Sequence, residues 1–285
     1  MTESQSSRLL VESPLARVYD VVCRTPRSGY GSLMFNSVTQ IGLPRRGVFV
    51  MERRGEPVVV DTNTALVLGP DDEYRVGHPT SEGDEGTVVV LPPYLVEDAI
   101  GGVGGRVGSL RPRDHLAICL VTRALRERDP DQLEAEDATF LLLGSLSRAF
   151  AGRTGVAHLG HAQRLRVEEA RALLASSPTT HWDLGSLGRV LRCSPFHLAR
   201  QFRAATGETI SGYVLRLRLG IAVERLADGE RDIASLAVDT GFTHHSHFSA
   251  RFRAVFGITP TQARDMLAKR NLDELRTVVN RVPSI

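Results

Sequence analysis

Between residues 15 and 98 the apolar positions come in short β-branched runs. "VFVMERRGEPVVVDTNTALVLGPDDEYRVGHP" and "GTVVVLPP" are interrupted every few residues by Gly, Pro or Asp, and "RRGEP" and "GPDDE" are turn signals. Many short strands at this spacing predict an antiparallel sandwich or barrel of the jelly-roll kind. The glycine-rich "IGGVGGRVGSL" (100–110) follows. It meets G-x-G-x-x-G in no register, so it reads as a flexible connection and not as a phosphate cradle.

Beyond it the period becomes helical. "RDHLAICLVTRALRER" places Leu116, Leu120 and Ala124 on one face with Cys119 beside them. After the "DPDQ" break, Phe140, Leu143, Leu146 and Phe150 recur at three- and four-residue spacing. The two helices form a hairpin that either covers the β-region or pairs with a second subunit. "AGRTGVAHLGH" reads as a linker.

The remaining chain is helical and contains an internal repeat. "SLGRVLRCSPFHLARQFRAATGETI" (186–210) aligns with "SLAVDTGFTHHSHFSARFRAVFGITP" (235–260), with one extra residue in the second turn. Each copy predicts a short helix, a turn and a second helix carrying an apolar i, i+4 pair, Leu198/Phe202 or Phe248/Phe252. Gly207 and Gly257 follow the second helices at positions suited to φ > 0. Ser194 before Pro195 is an N-cap with proline at the first helical position. The connecting "ISGYVLRLRLGIAVERLA" (210–227), at about 1.5 Å per residue, spans about 27 Å as a helix. With its flanking turns it can hold the two second helices near the roughly 34 Å spacing of successive major grooves.

Composition adds little except in the distribution of charge. Residues 161–270 carry 16 Lys/Arg against 10 Asp/Glu, while the rest carries 19 against 23. A basic C-terminal part suggests an anionic partner. Lys269 is the sole lysine, so nearly all the cations are arginine. Cys23, Cys119 and Cys193 are far apart and odd in number, which excludes a disulfide framework. No signal-peptide pattern and no apolar run near the roughly 18 residues of a membrane span is evident, so a cytoplasmic protein is expected.

"SPFHLARQFRAATG", "GFTHHSHFSARFRAVFGITP" and the connecting "YVLRLRLGIAVERLA" resemble the DNA-binding domain of AraC/XylS-type bacterial transcription regulators. The N-terminal region resembles the cupin-like effector domain that often precedes it. The resemblance implies an α+β chain. A β-rich cupin-like domain (1–110) and a helical hairpin (111–152), a candidate for dimerisation, come first. A linker (153–162), an all-α DNA-binding domain with two helix-turn-helix motifs (163–270) and a tail (271–285) follow. It also implies promoter or operator DNA as partner, a small-molecule effector, contact with RNA polymerase, control as an activator or as a repressor, a homodimer, residence at the nucleoid when bound, and neither enzymatic activity nor a cofactor.

Helix geometry selects the expected DNA contacts. With Leu198 and Phe202 buried, Phe196, Ala199, Arg200 and Arg203 turn outward, with Ser194 at the cap and His197 on the flank. Arg200 sits where the family commonly places a base-reading arginine, and Arg203 reads as a phosphate contact. In the second motif Ser246, Ser249, Ala250 and Arg253 turn outward, His244, His245 and His247 mark the helix start, and Arg251 is expected nearer the buried side. Ala250 departs from the family by standing where the arginine is usual. Zinc at "HHSH" is not expected, because zinc takes three or four convergent ligands and no Cys or second carboxylate is near. No H-x-H pair occurs in the N-terminal region, so no catalytic metal is expected there. Cys23 and His78, the latter followed by Glu82 and Asp84, are the candidates for a sensing site. The competing class is a metal-dependent cupin enzyme or metal sensor carrying a DNA-binding domain.

Overall fold

Turns at Gly47, Gly55 and Gly83, all with positive φ, break the apolar runs into strands. The computed structural model describes residues 5–101, 107–127, 130–151 and 159–269. The expected tail at 271–285, most of the expected linker and residues 102–106 of the glycine-rich stretch lie outside these residues.

The strands are β1 (Gln5–Glu12), β2 (Arg17–Cys23), β3 (Met34–Phe35), β4 (Gln40–Arg46), β5 (Val48–Arg53), β6 (Glu56–Asp61), β7 (Thr64–Leu68), β8 (Glu73–Gly77), β9 (Asp84–Val90) and β10 (Val107–Ser109). They form two antiparallel sheets, ordered β1-β2-β9-β4-β7-β10 and β3-β8-β5-β6. β7 is buried on both sides, and its alternation shows how the layers meet. Leu66 and Leu68 point toward Met51 and Val60 of the smaller sheet. Ala65 and Val67 join Ile41, Leu43 and Val89 on the opposite face, beneath the helices.

After α1 (Pro93–Ile100) come α2 (Pro112–Glu127) and α3 (Gln132–Ala151). The sequence pattern assigns α2 one apolar face, but Asp114, His115, Ala117, Ile118, Val121 and Thr122 are buried too. The reason is position: α2 lies between β4, α3 and the long helix of the C-terminal half. It is therefore the cover of the hairpin alternatives, and only α3 keeps a free outer face, with Leu133 and Phe140 exposed.

The C-terminal half comprises α4 (His161–Ser176), α5 (Leu184–Val190), α6 (Pro195–Thr206), α7 (Ile210–Ala227), α8 (Ile233–Asp239), α9 (His245–Phe256) and α10 (Pro260–Lys269). Helix α4 starts inside the expected linker, because Gly160 takes an extended conformation and its N–H donates to Gln163 Oε1 at 3.1 Å. Each repeat is a helix-turn-helix, α5–α6 and α8–α9. The first has its own core, in which Leu198 and Phe202 meet Val167, Leu187, Tyr213 and Leu217. The second does not: Phe248, Phe252 and Phe256 belong to one continuous core with Leu219 and Val223 of α7 and Leu116 and Leu120 of α2.

Candidate nucleic-acid interface

Both second helices are fixed at their ends by local chemistry. In α6, Ser194 Oγ accepts from the His197 backbone N–H at 3.3 Å and Pro195 occupies the first turn. Gly207, at φ 81°, ends the helix by donating to Arg203 O at 2.8 Å. Helix α9 ends the same way at Gly257, φ 75°, but starts at His244 with no side-chain cap. The turns differ as well. Gly241 adopts φ 83° in the second, and the equivalent position in the first is Arg192 at φ 49°.

On the outer side of α6, Phe196 is 73% exposed, and His197, Arg200 and Arg203 are also exposed. Ser194 is exposed with its Oγ 3.0 Å from His197 Nδ1, and Ala199 is half-buried. On α9, His244, His245, Ser246, His247, Ala250 and Arg253 are exposed, whereas Ser249 is half-buried. Arg251 departs from expectation, being exposed and not near the buried side. The cause is helical drift. Each i+4 step advances the buried stripe by about 40°, and the third phenylalanine, Phe256, carries it toward Ser249 and away from Arg251.

The three histidines of the second motif have separate roles. His247 meets the Phe242 ring edge-to-face at 5.7 Å and accepts from Arg251 Nε at 3.4 Å. His245 Nε2 lies 3.4 Å from Ser249 Oγ, and His244 is the helix cap position. The groups of metal-type side chains among the described residues are elsewhere, at Cys23/His78/Asp84 and His115/Cys119/Glu224. Cys23 and His78 thus come together, with Sγ 3.9 Å from Nε2.

Most of the C-terminal arginines behind these helices are internally neutralised. Arg171 reaches Asp61, Glu168 and Val59 O; Arg216 reaches Glu208 and Leu110 O; Arg225 reaches Asp239 and Glu230. Arg218 donates to the carbonyls of Pro178, Thr180 and Gly241, tying the approach to the first motif to the turn of the second. Among the described residues Arg200, Arg203 and Arg253 have no such partner. Unpaired arginines therefore stand on the outward faces of α6 and α9, as Arg189, Arg192 and Arg231 do elsewhere on the C-terminal surface.

Sequence reasoning missed the polar joint between the halves. Tyr213 donates to Asp61, Glu168 accepts from Val59 N–H at 2.7 Å, and Arg46 pairs with Asp228. Burial pushes the Tyr213 hydroxyl well up, with the Asp61 carboxylate adding to it. Burial also raises Glu208 despite the pull of Arg216. At the α2–α7 contact, burial lowers His115 and raises the Cys119 thiol well above its ordinary value. Both are therefore neutral beside Glu224, which Arg45 faces at 3.7 Å. Nothing in the helical period of either segment marks these residues, since the joint is made by elements far apart in the chain.

A family described as "helix-turn-helix domain" matches residues 187–266. The regulatory protein SoxS of Escherichia coli is 36% identical over 74 residues, covering 26% of this chain and 69% of SoxS. The chain belongs to the AraC/XylS family. It is a DNA-binding transcription regulator of that family, and the curated relatives it matches are named as transcription regulators. The probable transcriptional regulator LumQ of Photobacterium leiognathi is 24% identical over 206 residues, 70% of this chain and 82% of LumQ. Among solved structures, ToxT from Vibrio cholerae covers 93% of this chain and 99% of its own, at 14% identity and a TM-score of 0.35. Among the described residues no helix of this AraC/XylS-family chain is long and apolar enough to cross a membrane.

Proposed function

We propose that this regulator reads its operator with α6 and α9 in successive major grooves of one duplex face. The observation that carries this is the coincidence of repeat and charge: two helices ended by Gly207 and Gly257, pinned on one side by Leu198/Phe202 and Phe248/Phe252, present unpaired arginines on the other. Arg200 makes the principal base contact, a bidentate pair with guanine worth about 1–3 kcal/mol of discrimination. Ser194, Phe196, His197 and Ala199 line the same surface, and Arg203 and Arg253 hold phosphates. The second motif, with Ala250 at the reading position, contributes through His244, His245, Ser246, His247, Ser249 and Arg251, and its alanine suits a thymine methyl.

The effector reading centres on a cleft of about 320 Å³ between the β-domain and the first motif. Asn63, Arg164, Arg171, Glu208, Tyr213 and Arg216 line it. A small polar or anionic molecule there touches both halves of the chain, so its binding energy depends on how they are docked and can shift that equilibrium. The exposed face of α3 around Leu133 and Phe140 is the proposed homodimer surface. Activation through RNA polymerase and residence in the cytoplasm, at the nucleoid when bound, complete the reading. Footprinting on the protein's own upstream region tests it: protection of two adjacent major grooves per chain is expected, and protection of one overturns the two-helix reading.

A further inference from the structure

The β-domain contains a cluster that the DNA-binding surface does not use. Cys23 ends β2 and Asp84 begins β9, and the two are direct partners across the antiparallel ladder, so their side chains lie on one face. His78 leaves the end of β8 and is held by reciprocal backbone bonds with Ser28, at 2.9 and 3.1 Å. The connecting turn closes tightly on Cys23, because a Cβ on Gly83 would stand 2.2 Å from the Cys23 carbonyl oxygen. Three strand ends therefore bring a thiol, an imidazole and a carboxylate together on rigid backbone, with Cys23 8% and His78 9% exposed.

Cys23 Sγ contacts Thr25 Oγ1 at 3.1 Å and His78 Nε2 at 3.9 Å, but two other polar atoms of this cluster are unsatisfied. His78 Nδ1 and Asp84 Oδ2 are both buried without a hydrogen-bond partner, 3.4 Å apart. That separation is long for an N–H···O bond, which runs roughly 2.7–3.2 Å. It matches the nitrogen–oxygen edge of a tetrahedral zinc site, about 3.4 Å when both bonds are about 2.05 Å. Cys23 Sγ lies 3.9 Å from the other ring nitrogen, and one donor atom from each residue lies within 4.8 Å of the other two. One ion takes a single ring nitrogen of His78, and the three chosen donor atoms lie no more than 4.8 Å apart, so small side-chain rotations bring them onto one ion.

We infer that Cys23, His78 and Asp84 form a binding site for a divalent thiophilic ion of the zinc type. A thiolate and a carboxylate balance the double charge of the ion, and neutral His78 completes three ligands, leaving the fourth corner to water or a small ligand. The other cluster of similar composition differs in one decisive way. There Glu224 already faces the Arg45 guanidinium at 3.7 Å, so a resident cation fills the place of the ion. Asp84 has no such partner among the described residues, while its neighbour Glu85 takes Arg24, Arg46 and Arg126.

Titration of the full-length, reduced, metal-free protein with Co²⁺ and Zn²⁺ tests the site. One equivalent of Co²⁺ should bind with a near-ultraviolet thiolate-to-cobalt band and tetrahedral visible bands, and Zn²⁺ should displace it. Cys23→Ser should abolish the thiolate band, and His78→Asn or Asp84→Asn should weaken binding by at least about tenfold. Cys119→Ser and a His244→Ala/His247→Ala double variant should leave it unchanged. A second measurement needs no variant: Zn²⁺ should slow iodoacetamide labelling of Cys23, located by mass spectrometry, and spare Cys193. Absence of a thiolate band in the wild-type protein, its survival in Cys23→Ser, or Cys23 labelling indifferent to Zn²⁺ would each overturn the assignment.

Discussion

The two helix-turn-helix motifs share a pattern but not a foundation. The first stands on a private core of Leu198, Phe202, Leu187 and Tyr213, and it meets the β-domain mainly through polar bonds around Asp61 and Arg171. The second stands on a ladder of rings, Phe242–Phe248–Phe252–Phe256, with centroids 5.2, 5.6 and 4.4 Å apart. Its core runs on without a break into α7, α2 and the six-stranded sheet. Apolar burial is non-directional and hard to open in part, whereas a polar joint can exchange its bonds for water or ligand. The second motif is therefore the one anchored to the N-terminal domain, and the first, on the proposed reading, is the one whose docking an effector would alter.

The largest expected effects come from the two cores. Phe252→Ala should cost about 3–5 kcal/mol and raise hydrogen exchange in α9, α10 and α2 together. Phe202→Ala should cost a similar amount and loosen α4 to α6 while sparing α2. Equal exchange patterns from both variants would erase the distinction between a shared and a private core.

Base readout should show the reverse asymmetry. Arg200→Ala is expected to lose about 1–3 kcal/mol of binding, concentrated at one base pair. Arg203→Ala and Arg253→Ala should weaken all sequences alike and reduce the salt slope by about 0.9 each. An equal loss of specificity from Ser249→Ala or Ala250→Gly, measured on base-substituted operators, would remove the first motif's priority.

The joint beneath the second motif should be sensitive to acid. His115 is buried on α2 against Gly220 and Thr62, with Glu224, Arg45 and Cys119 around it, and burial holds it below its ordinary 6.5. The unfolded chain therefore takes up the proton first, so stability is level above about pH 6.5 and falls as pH drops below it. Thermal melts between pH 7.5 and 5.5 should show a smaller acid loss in His115→Gln than in the wild type. An unchanged pH profile would mean that His115 titrates normally.

The smallest effect concerns the turns. Arg192 holds φ 49°, a region that favours glycine, so Arg192→Gly should stabilise the first motif by up to about 1 kcal/mol. Gly241→Ala should destabilise the second by more, since its Cβ would press on Thr179 O at 2.9 Å and on the Arg218 guanidinium. Thermal denaturation of the two variants checks the sign of each.

The repeat, its caps and its buried pairs were legible because they are local. Ser194-Pro195 and Gly207 express backbone preferences of a few neighbouring residues, and Leu198/Phe202 follow from helical period alone. The apolar run "TALVL" of β7 is equally readable as a strand, in keeping with its burial on both faces. Arg251 was misplaced because two phenylalanines define a stripe and a third redirects it.

By itself the sequence determined the paired second helices of the repeat, their glycine ends and outward arginines, and a strand-rich half preceding them. Tertiary structure alone decided that α2 would be buried all round and that the second motif would share the N-terminal core. It also decided that Arg171, Arg216 and Arg225 would be neutralised while Arg200 stayed free, and that Cys23, His78 and Asp84 would meet. The physical reason is range. Periodicity and capping act over one or two turns, and so do pairs such as Arg171 with Glu168 or Arg225 with Glu230, whereas the joint of Asp61 with Arg171 and the meeting of Cys23 with His78 join segments 110 and 55 residues apart, which no local pattern encodes.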